Sequence, residues 1–267
     1  MSDFAHVHSA DTPPGLPVQK EPQLGDRTRD PGLSASPSRH GLPASLDNRT
    51  TRDALGLANA CPELVCLNRP QHPFAAAVYR IRAALNAKHN KVRGALVLAV
   101  VSPNRADGRS VMAANLAIAF AQVHARTILV DGDLRNGRLH SMFNVGNDGG
   151  LARVLASPPG TRQDCVTLEI TQLPLALVPT DTSASNPQAL LSGAHFQAIV
   201  DELARQSDCV IIDTPAWNLG ADAQLIAATA GTALIVARMQ RTLKSDLQSM
   251  SDALATTNVE AFAVPLG

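Results

Sequence analysis

Between Gly94 and Arg135 the hydrophobic pattern changes period twice. Ala95 to Val101 is apolar at every position, as in a parallel strand covered on both faces, not one that alternates between core and water. A polar turn ending in Gly108-Arg109-Ser110 follows. From Arg109 onward Met112, Leu116, Phe120 and Val123 recur at helical spacing, with Ala113, Ala114, Ala117 and Ala119 keeping the helix slim enough to lie close to strands. Thr127 to Val130 is apolar again and delivers Asp131 and Asp133 at its end. The pattern predicts strand, loop, helix, strand.

The same alternation continues along the chain. Apolar runs at Leu175 to Val178, Cys209 to Ile212, Ala233 to Ala237 and Glu260 to Val264 read as strands. Helical spacing marks Phe74 to Lys88, with Val78, Ile81, Arg82 and Leu85 on one face. Further helices are predicted at Leu139 to Phe143, Leu151 to Ala156, Ala221 to Ala230 and Leu243 to Thr256. Pro187 suits a first helical position, and the pattern through Leu190, Phe196, Ile199, Val200 and Leu203 predicts one helix ending near Gln206. Strands alternating with helices imply an α/β fold: a doubly wound, mostly parallel sheet flanked by helices.

Composition separates residues 1–60 from the rest. Seven of the 18 prolines fall in the first fifty residues, among Ser, Asp, Arg and Gly. Such a segment buries too little to offset roughly 1–2 kcal/mol of backbone entropy per residue and is expected to be disordered. Residues 61–267 form the expected domain. With 23 basic and 23 acidic side chains, no basic field points to nucleic acid. Cys61, Cys66, Cys165 and Cys209 lack metal spacing, and Cys209 is expected to be a small buried hydrophobe. No apolar window reaches membrane-spanning length and no signal peptide is evident, so a cytoplasmic location is expected.

The loop between the first strand and its helix aims backbone N–H groups and a positive helix end outward, which is phosphate-binding geometry. Its frame, Pro103 to Ser110, is a degenerate P-loop: Pro103 stands for the leading glycine and Arg109 for the lysine. The alternative is an ordinary strand-to-helix turn with an exposed arginine. Asp131 and Asp213, each at the carboxyl end of a strand, favour the nucleotide reading. A helix-start hydroxyl plus one or two carboxylates suits hydrated Mg²⁺ carried on a nucleotide.

S-P-N-R-A-D-G-R-S, I-L-V-D-G-D-L-R and V-I-I-D-T-P resemble the Walker A, A′ and B motifs of bacterial tyrosine kinases of the capsular and exopolysaccharide family. The stand-alone chain-length-determinant kinases are the nearest type. H-P-F-A-A-A-V-Y-R-I-R-A-A-L, S-N-P-Q-A-L-L, A-D-A-Q-L and V-A-R-M-Q-R-T extend the likeness over about residues 63–267.

The resemblance implies a P-loop NTPase fold of the deviant Walker type and an ATP- and Mg²⁺-dependent protein-tyrosine kinase governing exopolysaccharide chain length. It assigns Asp107, Gly108, Arg109, Ser110 and Arg135 to the nucleotide, and Ser110, Asp131 and Asp213 to Mg²⁺. Asp131, Asp133 and Arg109 carry the catalytic roles. It also implies a partner, the cytoplasmic tail of a membrane chain-length-determinant protein, which would hold the chain peripherally at the inner membrane.

Departures from the family pattern keep two other readings open: a degenerate subunit without catalysis, and a nucleotide-dependent switch ATPase. Ala106 replaces a family glycine and is strained if that position needs positive φ. On the leading helix, which resembles a subunit-contact segment of ring-forming relatives, only Arg82 keeps a family charge; Ala76 and Tyr79 replace the others. A helix packed on the core with a solvated Arg82 is the simpler expectation, with homo-oligomerisation left open. Tyr79 is the one tyrosine, so a phosphorylated tyrosine tail is not expected.

Overall fold

The computed structural model describes residues 61–90, 94–157, 168–170, 173–181 and 184–266. The segment 1–60, expected to be disordered, lies outside the described residues, as do Cys165 and Gly267. The strands are β1 (Leu96–Val101), β2 (Thr127–Asp131), β3 (Leu168–Ile170), β4 (Leu175–Val178), β5 (Cys209–Asp213), β6 (Thr232–Arg238) and β7 (Glu260–Leu266). They form one seven-stranded sheet in the order β3-β4-β2-β5-β1-β6-β7. Every pairing is parallel except β3 with β4. The sheet is the doubly wound, mostly parallel one that the alternating pattern predicts.

Each central strand sends alternate side chains to two apolar layers. Leu98, Val100, Leu129 and Ile211 face α1 (Val65–Asn68), α2 (Pro73–His89), α3 (Arg109–Ala121) and α4 (Leu139–Met142). Ala99, Val101, Ile128, Val130, Val210 and Ile212 face α5 (Leu151–Ala156), α6 (Pro187–Leu191), α7 (Ala194–Gln206), α8 (Asp222–Ala230) and α9 (Lys244–Thr256). Burial on both faces is why these strands are apolar throughout. Among the described residues no helix is long and apolar enough to cross a membrane.

Four local expectations are corrected. The single helix expected from Pro187 to Gln206 is two, because Gly193 is extended and the Ser192 hydroxyl donates to the Ala189 carbonyl where the chain turns. Val123 lies beyond the end of α3 and is 51% exposed, so it does not share the buried face of that helix. Arg82 is not simply solvated: its Nη1 donates to the Ala119 carbonyl at 2.9 Å. That carbonyl is one of the last four of α3, which have no partner within the helix, and a cation there complements the helix dipole. Strand β3 was not anticipated at all.

Asn115, buried inside α3, anchors the head of the domain. Its Oδ1 accepts the Cys66 N–H at 2.7 Å, and its Nδ2 donates to the Glu63 and Val111 carbonyls at 2.8 Å. The Cys66 N–H is a first-turn donor of α1 with no partner inside that helix, so Asn115 caps a helix from outside it. Burial pushes the Cys66 thiol up to about 11. Cys209 is fully enclosed in β5, and its thiol is likewise pushed up by burial.

Candidate functional site

The carboxyl ends of β2, β5 and β1 lie side by side, so Asp131, Asp213 and the loop after Val101 meet at one edge of the sheet. Beyond that edge is a cleft of about 470 Å³, lined by Gly108, Arg109, Ser110, Asp133, Arg138 and Arg238 among others. Open parallel sheets bind ligands at such edges.

The loop is held by its own polar groups. The Asn104 N–H donates to Asp107 Oδ2 at 2.9 Å, and the Ser102 hydroxyl to the Asn104 carbonyl at 3.0 Å. Asp107 is therefore buried as a brace within the loop. Gly108 caps α3 at φ 94° and Ala106 sits at φ 63°, both in the left-handed region. Glycine tolerates that region freely, whereas an alanine there is strained by roughly 1–2 kcal/mol. The strain foreseen at Ala106 is present.

Arg109 turns inward. Its Nε donates to the Thr214 carbonyl at 2.8 Å, and its Nη1 to Ser102 Oγ at 2.6 Å and the Asn104 carbonyl at 3.0 Å. The guanidinium ties the loop to the end of β5 while its residue still borders the cleft. Burial lowers its pKa, opposed by the charges of Asp213, Asp133 and Asp107. Arginine nonetheless stays charged. Ser110 opens the first turn of α3 and lines the cleft.

Asp131 and Asp213 are both buried, at 0% and 1% exposure. Asp131 Oδ2 accepts the Leu139 N–H at 3.0 Å, and Asp213 Oδ1 accepts the Thr214 N–H at 3.0 Å. The second oxygen of each carboxylate makes no hydrogen bond of good geometry. Burial, with the nearby charge of Asp213, pushes Asp131 well above the usual carboxylate range. Burial also raises Asp213 to about 6, against the pull of Arg109 and of the Ser110 hydroxyl. An acid raised to about 6, as Asp213 is, can exchange protons with a substrate at physiological pH.

The A′ residues do other work. Asp133 Oδ1 accepts the Arg135 and Asn136 N–H groups at 3.2 and 2.9 Å, folding the segment that covers Asp131. The Arg135 Nε donates to Asp222 Oδ2 at 2.8 Å. The guanidinium thus points to the start of α8. Gly137 packs on Asp131 so closely that an added Cβ would stand 2.8 Å from its Oδ2.

Glu63, Arg105, Arg138, Leu219 and Arg238 also line the cleft and were not singled out from sequence. Arg238 lies within V-A-R-M-Q-R-T, whereas Arg138 stands three residues beyond the end of the A′ motif and outside every quoted motif. Glu63 carried no signal of its own. Asp222 was visible only as part of A-D-A-Q-L.

No protein-family model matches the chain. Over 150 residues it is 32% identical to the tyrosine-protein kinase YwqD of Bacillus subtilis, covering 56% of this chain and 62% of YwqD. Over 191 residues it is 30% identical to the tyrosine-protein kinase wzc of Salmonella typhimurium, covering 71% of this chain and 26% of wzc. The chain thus spans under two thirds of the length of these relatives. A solved structure of the chimerical protein CapA2B2 matches with a TM-score of 0.68 at 26% identity, covering 79% of this chain and 93% of that one.

Proposed function

The chain belongs to the bacterial tyrosine kinase family of the capsular and exopolysaccharide type, with the P-loop NTPase fold, and on that footing we propose that it binds ATP·Mg²⁺ and phosphorylates tyrosine on a partner protein. The observation that carries this reading is the pairing of a phosphate-type loop with Asp131 and Asp213, two buried carboxylates whose second oxygens make no hydrogen bond of good geometry.

That pair fits a divalent cation. Two buried acids with raised pKa values at neighbouring strand ends are the environment in which a cation offsets the cost of ionisation. Ser110, Asp213 and Asp131 would hold Mg²⁺, directly or through water. Bound there, the ion would supply charge neutralisation to the phosphates as the terminal group departs.

The protein's own residues would do the rest. The loop N–H groups around Gly108 and the positive end of α3 orient the phosphates. Arg109 holds the loop closed against Thr214, and Arg238 supports it from the outside by donating to the Ala106 carbonyl at 3.2 Å. Asp131, whose carboxyl lies under the Asp133–Leu139 segment, would accept the proton of the incoming tyrosine hydroxyl. Arg135 and Asp133 set the resting position of that segment.

Tyr79 is a poor acceptor. It is partly buried against the core, and burial together with the Cys66 thiol raises its pKa. The acceptor is therefore read as another protein, with the cytoplasmic tail of a membrane chain-length-determinant protein as the activating partner. Through it the chain would act at the inner membrane in exopolysaccharide polymerisation and export.

A second reading, a partner-binding subunit without catalysis, is favoured by one feature: the strained Ala106 beside an Arg109 whose donors are turned inward. Calorimetry of the full chain with ATP·Mg²⁺, beside Asp213→Ala, separates the two. Micromolar binding, about −8 kcal/mol, that Asp213→Ala abolishes supports the kinase reading, and phosphotyrosine formation on the partner completes it. No binding at millimolar ATP supports the subunit.

A further inference from the structure

The charges facing the cleft are unequally engaged. Arg109 is turned into the loop and Arg238 is held at the Ala106 carbonyl. Arg138 reaches across the cleft mouth to Glu63, Nη2 to Oε2 at 2.7 Å, with both side chains about half exposed. Glu63 does not arrive there by chance. Its carbonyl is fixed by Asn115 of α3, so its carboxylate is presented from a braced segment.

An acid standing in a phosphate-type cleft opposes the ligand the cleft is built for, unless its charge is already spent on a neighbour. Arg138 is that neighbour. A half-exposed ion pair is weakly held in water, whereas a guanidinium on a phosphate makes shorter, charge-assisted and often bidentate bonds. A polyphosphate entering the cleft offers Arg138 the stronger partner.

We propose that Arg138 is a polyphosphate-binding arm held in reserve by Glu63, so that a nucleoside triphosphate and Glu63 compete for one guanidinium. The inference rests on the reading of the cleft as an ATP·Mg²⁺ site and adds to it a binding residue and a built-in competitor. Loading the cleft breaks the Glu63–Arg138 pair and thereby loosens the contact between the head of the domain and the approach to α4.

The test is calorimetry of ATP·Mg²⁺ on the full chain carrying Glu63→Gln, Arg138→Gln, or both. Unfolding midpoints check that each variant is folded, which the exposure of both side chains and the separate anchoring of Glu63 by its backbone favour. Arg138→Gln is expected to weaken binding about tenfold, and Glu63→Gln to tighten it about threefold, by loss and release of the charge-assisted contact. In the Arg138→Gln background, Glu63→Gln should recover little. Equal tightening in both backgrounds would mean that Glu63 acts only through bulk charge, and the competition is overturned. Unchanged affinity in Arg138→Gln overturns the arm while leaving the ATP site standing. If the folded wild-type chain fails to bind ATP·Mg²⁺, the reading of the cleft itself falls and the inference with it.

Discussion

Asp131 and Asp213 stand directly opposite each other in the register of β2 and β5. Parallel pairing of two apolar strands that each end in an acid brings these carboxylates together with no further device. The juxtaposition has a cost, since two buried acids side by side resist ionisation. It also has a use, because a cation or a proton placed there is strongly held.

This arrangement sets a sign for pH dependence. The folded-state pKa of Asp213 is about 6 against 3.8 for the free side chain, so the folded state holds the extra proton between these values. Stability from this group is therefore highest at or below pH 4, falls as pH rises toward 6, and is level above, a loss of about 3 kcal/mol over the window. Asp131 is shifted in the same direction. Asp213→Asn should flatten that decline and leave the protein more stable at pH 8 than wild type. Urea unfolding at pH 4, 6 and 8 reads this directly; an unchanged slope in the variant would show that another group causes it.

At Ala106 the expectation concerns backbone alone. Its φ of 63° costs an alanine roughly 1–2 kcal/mol, while glycine costs roughly 0.5–1 kcal/mol through the freedom of the unfolded chain. The residue is exposed, so its methyl group contributes little packing. Ala106→Gly should raise the denaturant midpoint by up to about 1 kcal/mol of stability. A lower midpoint would mean that the loop is not strained there.

Asp222 is 2% exposed at the first turn of α8 and depends on Arg135, whose side chain is 37% exposed. Arg135→Met leaves a buried acid compensated only by the helix end. The expected loss is about 2 kcal/mol, below the range for a fully buried pair because water already reaches the arginine. Arg135→Met with Asp222→Asn should recover most of it. A double-mutant cycle that proves additive would mean that the two side chains do not act as a pair.

What the sequence makes legible follows from how each signal arises. Strands buried on both faces declare themselves as apolar runs, which is why β1, β2, β4 and β5 are readable, together with the acids that end β2 and β5. Positive φ at Ala106 is legible only as a possibility, through the glycine that the family carries there. The three residues of β3 at the sheet edge carry no such run. Nor can spacing reveal where a long side chain turns. Arg109 finds its acceptor at Thr214, 105 positions away, and Arg135 its partner at Asp222, 87 positions away, both brought near only by the sheet order. Glu63 and Arg138 are half-exposed charges of a common kind, and only the cleft between them gives them meaning.

Asn115 is the one polar side chain among the fully buried residues in the interior of α3, and it is there for neighbours outside its helix. Truncation to alanine strips the partner from the Cys66 N–H and one of two donors from the Glu63 carbonyl, which keeps the Val65 N–H at 2.9 Å. Leaving the buried Cys66 N–H unsatisfied should cost about 2 kcal/mol. Asn115→Leu should do no better than alanine, although leucine favours helix and is apolar, because it supplies neither donor nor acceptor and is branched where the segment packs. Thermal unfolding measures the loss. Limited proteolysis locates it, since cleavage near residues 61–69 should rise before global unfolding begins. If Asn115→Leu matches wild type in both, hydrophobic packing of Leu64 and Cys66 alone holds the head of the domain, and the backbone of Glu63 is not fixed through α3.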